Sequence, residues 1–80
     1  MTKVPLHTLL PNEKGMIHSI STDFPSLRQR LLEMGLIKGS AVEFIRTAPL
    51  GEPIEILIRG YRLSLSRREA MSVWVEKVIS

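Results

Sequence analysis

Alternation is the strongest signal in this chain. Ile54, Ile56 and Ile58 fall on one side of a pleated segment, and Glu55, Leu57 and Arg59 fall on the other, which predicts a strand over 53–59. The run Ala41-Val42-Glu43-Phe44-Ile45-Arg46-Thr47 predicts its partner over 41–47. The Pro- and Gly-bearing segment Ala48-Pro49-Leu50-Gly51-Glu52-Pro53 reads as the loop of a hairpin between them. Gly60 starts a tight turn into Tyr61-Arg62-Leu63-Ser64-Leu65, with Tyr61, Leu63 and Leu65 expected to face inward. Ser66-Arg67-Arg68-Glu69-Ala70 is too polar for a core strand and suits one helical turn. After it, Val73 and Val75 face inward on a last strand, with Trp74 and Glu76 outside.

Earlier in the chain the period changes. Met16-Ile17-His18-Ser19-Ile20 is a short first strand. Leu27, Leu31 and Met34, widened by Leu32, then fall on one stripe of a helix over 25–34, with Arg28, Arg30 and Glu33 on its other faces. Pro25 suits the first turn, where its missing N–H removes no helical bond. Gly35 stands where a left-handed residue ends a helix. Leu6, Leu9 and Leu10 are expected as core contacts of a lead-in segment, Phe24 and Phe44 as further core, and residues 1–7 as loosely ordered. Five short strands in so small a chain predict a mostly β fold, a closed or half-closed barrel of antiparallel strands. One α-helix is inserted after the first strand, and a short helical turn precedes the last.

Composition narrows this without redirecting it. Eighty residues make one domain, read as spanning 1–80, and a chain of this size buries only about 60% of the surface its unfolded form exposes. With 44% apolar residues the chain reads as globular, and with no cysteine it has neither disulfides nor thiolate chemistry. No apolar run approaches the roughly 20 residues that cross a bilayer, and the first residues lack the apolar stretch of a secretory signal, so membrane insertion is not expected and a cytoplasmic location is.

Three ordered blocks carry a resemblance. Leu32-Glu33-Met34-Gly35-Leu36-Ile37-Lys38-Gly39-Ser40, then Ala48-Pro49-Leu50-Gly51-Glu52-Pro53-Ile54, then Arg59-Gly60-Tyr61-Arg62-Leu63-Ser64-Leu65 with Arg67-Arg68-Glu69-Ala70, resemble the FeoA family of ferrous iron transport accessory proteins. The likeness runs from about Leu9 to Val75; Lys38 departs from it where the family often has proline. It implies an SH3-like barrel. It also implies a regulatory role exerted by protein–protein binding to FeoB, a membrane ferrous iron transporter with an N-terminal GTP-binding domain. The transition-metal label often given to the family implies at most a weakly held divalent ion such as Fe2+ or Zn2+. The alternative is a free-standing small barrel that binds transition metal or nucleic acid directly.

The candidate sites are weighed against that background. A tight first-row metal site wants three or four His, Cys or carboxylate ligands, and His7 and His18 lie far apart with no short-spaced partner, so no metal site is assigned. Ser64 and Ser66 have no histidine near them in sequence, and Gly35-Leu36-Ile37-Lys38-Gly39 lacks the spacing of a phosphate loop, so no catalytic residue is assigned and an enzyme is not expected. Arg59, Arg62, Arg67 and Arg68 form a basic cluster around Tyr61. Its expected reading is a solvated secondary face, because single-strand binding by small barrels needs several stacking aromatics; the net charge of +3 is mild, and no nucleic acid is expected. The turns are different, because they carry apolar residues. Met34, Leu36, Ile37 and Lys38 after the helix, with Pro49, Leu50 and Glu52 in the hairpin loop, are expected to form one docking patch for a partner, Leu36 also being a candidate to cap the barrel. The same residues and the strand edges leave room for weak homo-oligomerisation.

Overall fold

The computed structural model describes residues 2–78. In chain order these form β1 (Thr2–Pro5), a 3₁₀ turn (Leu6–Thr8), β2 (Lys14–Ile20), α1 (Pro25–Glu33), β3 (Ala41–Thr47), β4 (Ile54–Ile58), β5 (Tyr61–Leu65), α2 (Arg67–Met71) and β6 (Val73–Lys77). The strands make one sheet in the order β1-β6-β2-β3-β4-β5, antiparallel at every junction. Two irregularities break its register, one between Ile17 and Ser19 against β6 and one between Phe44 and Arg46 against β4. An extra residue on one strand bends it and increases its twist. α2 packs against both β5, at one end of the sheet order, and the 3₁₀ turn that continues β1, at the other. The sheet is therefore rolled into a small SH3-like barrel around one core.

That core follows from the alternation. Ile54, Ile56 and Ile58 from β4, Val42 and Phe44 from β3, Leu65 from β5, Val73 and Val75 from β6 and Ile17 and Ile20 from β2 are all buried in one cluster. Cross-strand neighbours align within it: Phe44 stands opposite Ile56, and Ile54 opposite Leu65. Such pairs are the unit of sheet stabilisation. α2 forms where the polar pentad allows it. The Ser66 hydroxyl accepts from the Glu69 amide at 3.1 Å and the Glu69 carboxylate accepts from the Ser66 amide at 2.8 Å, a capping box that satisfies two otherwise orphaned donors.

The N-terminal segment departs from expectation. Thr2–Pro5 is a strand paired along β6, with Val4 opposite Val75, so the sheet has six strands where five were predicted; of the segment 1–7 expected to be loosely ordered, Met1 lies outside the described residues and 2–5 is placed in the sheet. Only Val4 marks it as apolar, and its pairing partner lies at the far end of the chain. Leu6 and Leu9 are buried as predicted, but Leu10 is 65% exposed. Leu9 is extended (φ −70°, ψ 151°), and adjacent side chains on an extended backbone point to opposite sides. Phe24 also departs from the core: it is the residue before α1, 47% exposed, with the Arg68 guanidinium 4.7 Å from its ring centroid.

His7 sits in the 3₁₀ turn with its Nδ1 buried and unpartnered. Burial, and then the Arg67 guanidinium, push its pKa below the ordinary imidazole value of 6.5. The folded state thus favours neutral His7 and the unfolded chain binds more protons below that value. The stabilisation is full above pH 6.5 and is lost as pH falls from there through the lowered folded value. Urea titrations across pH 5–7 should show the wild type losing stability toward acid relative to His7→Phe, whose stability should change less over that window; parallel curves would contradict the assignment. In the same assay Leu6→Ala should cost about 2–5 kcal/mol, as for other buried leucines. A loosely ordered segment would lose almost nothing.

Candidate partner-binding surface

α1 ends in a motif that decides the geometry of the following turn. Gly35 adopts φ +99°. Its amide donates to the Leu32 carbonyl at 3.0 Å, and the Leu36 amide reaches back to the Leu31 carbonyl at 3.1 Å. These are the two bonds of a Schellman cap, and the apolar contact that accompanies it joins the residue after the glycine to the last helical turn. Leu31 and Leu36 are accordingly both 0% exposed. Leu36 is therefore core, and its place in the docking patch is corrected. The order Leu31, Gly35, Leu36 is itself the signature of that cap, a local pattern carried entirely by the sequence.

With Leu36 drawn in, the chain presents its next residues. Ile37 is 46% exposed and Lys38 is exposed, while Met34 is half-buried against the core. The turn is held from both sides. The Ile37 amide donates to the Gly35 carbonyl at 2.8 Å, the Ser40 amide to the Ile37 carbonyl at 3.0 Å and the Gly39 amide to the Ile17 carbonyl of β2 at 2.8 Å. From the β4–β5 side, the Tyr61 hydroxyl donates to the Met34 carbonyl at 2.6 Å. Tyr61 was expected to face inward; the structure leaves it exposed, its ring spent on this bond rather than on the core.

The hairpin loop also presents an apolar residue. Leu50 is 95% exposed at its tip, and Pro49 and Glu52 are exposed beside it. The Gly51 amide donates to the Ala48 carbonyl at 2.8 Å and the Ala48 amide to the Pro53 carbonyl at 3.1 Å, while the Glu52 carboxylate accepts from the Arg67 amide of α2 at 3.0 Å. This loop does not join the helix-end turn. Val42, at the start of β3, pairs with Ile58 at the end of β4, and Thr47 pairs with Ile54. The turn at 35–40 and the loop at 48–53 thus lie at opposite ends of a seven-residue strand, roughly 20 Å long at the usual rise. The single predicted patch is two separate surfaces.

The basic cluster divides in the same way. Arg59 and Arg62 flank the start of β5, near the helix-end turn, and Arg67 and Arg68 lie past its end on α2. All four are exposed. Arg62 approaches Glu55 at 4.0 Å, and Glu55 is also held by Arg46 at 3.3 Å. An open cleft of about 670 Å³ between the start of α1 and α2 is lined by Phe24, Leu27, Arg30, Arg68, Asp23 and Glu69 among others. Its charges offset one another, with Arg30 3.7 Å from Glu69. The Ser66 hydroxyl in that wall is engaged as the helix cap. Among the described residues no group of three or more His, Cys, Asp or Glu could hold a metal ion. No helix among them is long and apolar enough to cross a membrane.

Comparison with known proteins matches this geometry. The model of the FeoA domain matches residues 4–77. A Fe(2+) transport protein A/Fe(2+) transporter FeoB fusion protein of Porphyromonas gingivalis is 38% identical over 53 residues, which is 66% of this chain and 6% of the relative, so the chain spans a small fraction of that protein's length. The FeoA-like protein of Clostridium acetobutylicum is 30% identical with a TM-score of 0.90, over 100% of this chain and 93% of the other. FeoA of Stenotrophomonas maltophilia, an SH3 domain protein complexed with zinc, is 26% identical with a TM-score of 0.79, over 91% and 89%. With nearly all of its described residues matched to the family model, this chain belongs to the FeoA family of ferrous iron transport proteins.

Proposed function

We propose that this chain is a cytoplasmic accessory protein of ferrous iron uptake, and that it regulates a FeoB-type GTP-dependent membrane transporter by binding it rather than by catalysing a reaction. The relative from P. gingivalis supports the pairing, since it carries the two kinds of protein in one chain. The observation in the structure that carries the reading is Leu50. A leucine left 95% exposed at the tip of a loop adds nothing to the core of this fold. Three hydrogen bonds around it hold the loop in place, so little conformational freedom remains to be lost on contact. Burying such a side chain contributes about 1.5–3 kcal/mol, the scale of an interface hot spot.

The test measures binding of the detergent-solubilised transporter, and of its isolated G domain, to wild type and to Leu50→Glu. The variant should bind at least about ten-fold more weakly, equivalent to ~1.4 kcal/mol, and keep the wild-type circular dichroism and Tm. Equal affinity would exclude the loop from the contact. A wild-type chain that binds neither form of the transporter would overturn the proposed function.

A further inference from the structure

The tight turn between β4 and β5 contains an anomaly. Ile58 pairs with Tyr61, leaving Arg59 and Gly60 as a two-residue loop with φ +50° and +86°. Positive φ at both positions defines the type I′ turn, whose first position favours asparagine, aspartate or glycine. Arginine there holds an unfavourable left-handed backbone. Residues kept in such conformations cluster at active sites, ligand clamps and switch regions.

The surroundings show what this one is placed to do. A Cβ built on Gly35 would meet the Tyr61 hydroxyl at 2.8 Å and the Arg59 Cδ at 3.3 Å, so the aliphatic stem of Arg59 lies along the helix-end turn beside the tyrosine. Among the described residues no carboxylate lies within 4.0 Å of the Arg59 guanidinium or the Lys38 ammonium. Arg62 adds a third cation, 70% exposed and only distantly paired. The acids toward this end are Glu33, which faces Gln29 on its own helix, and Glu43, in the cross-strand row of Leu57 and Arg62; neither lies within 4.0 Å of Arg59 or Lys38. Ile37, next to Lys38 and two residues beyond Gly35, is the exposed apolar residue of this turn.

We infer that this end of the barrel is a second docking surface, with Ile37 as its apolar centre and Arg59 as its specificity charge, and that it takes a protein segment carrying carboxylates around an apolar side chain. The inference rests on the transporter-binding reading above and names the charge of the partner that would meet it. The turn gives up backbone comfort to lay the Arg59 side chain against the helix-end turn that carries Ile37, and a carboxylate of the partner there completes a charge-assisted bond.

Three substitutions separate charge from structure. Arg59→Asn suits the type I′ turn, Arg59→Met keeps the stem without the charge, and Arg59→Lys keeps the charge. Binding to the solubilised transporter and its G domain is measured from low to high salt, with Tm recorded for each protein. Wild-type affinity should fall as salt rises. Arg59→Asn should match or exceed the wild-type Tm while binding at least about ten-fold more weakly with a flatter salt dependence, and Arg59→Lys should retain more affinity than Arg59→Met. Wild-type binding and salt dependence in Arg59→Asn or Arg59→Met would overturn this inference and leave the proposed function standing. A wild-type chain that binds neither form would overturn both.

Discussion

The contact between Leu31 and Leu36 is the constraint on which the functional geometry depends. Both are fully buried, five residues apart across a left-handed glycine, and together they stop α1 and turn the chain toward β3. Because Leu36 is drawn inward, Ile37 and Lys38 are turned outward at a defined place. The Tyr61 hydroxyl then closes on the Met34 carbonyl and ties that place to the β4–β5 turn. One buried pair thus stabilises the helix end and presents Ile37 and Lys38 to solvent.

The barrel is small, without disulfides, and its stability rests on how completely its elements cover one another. β1 lies at one end of the sheet order and carries Lys3 and Pro5, residues that discourage further strand pairing. At the other end α1 lies near β5, its C-terminal end held at Tyr61 and its middle at Glu69 of α2 through Arg30. The 3₁₀ turn with Leu6 fills the remaining gap under α2. The exposed apolar loop residues Ile37 and Leu50 lie one toward each end of the β3–β4 hairpin. Under the proposed function, that arrangement offers a transporter two separate surfaces.

Most of the fold was readable along the chain, because it is written in local terms. The period-two spacing of Ile54, Ile56 and Ile58 places β4 and its inner face whatever lies around it, and Ser66 with Glu69 three residues later announces the capping box of α2. The glycine after the Leu31 turn ends α1 by its own conformational freedom. Exposed Leu50 and Ile37 were legible too, as apolar residues in segments with no core to enter.

What the linear pattern leaves open is set by contacts between distant residues. Thr2–Pro5 becomes a strand only because Val75, near the other end of the chain, offers a ladder to pair with. Leu10 and Phe24 are apolar but lie outside the core, since the backbone direction at Leu9 and the start of α1 point them away from it. The turn at 35–40 and the loop at 48–53 look like one patch in sequence, and antiparallel pairing separates them by the length of β3. Conversely Arg59, far from Gly35 in the chain, becomes its neighbour in the barrel. Burial pattern and caps are properties of short segments; which exposed residues share a surface depends on strand register, which only the folded sheet supplies.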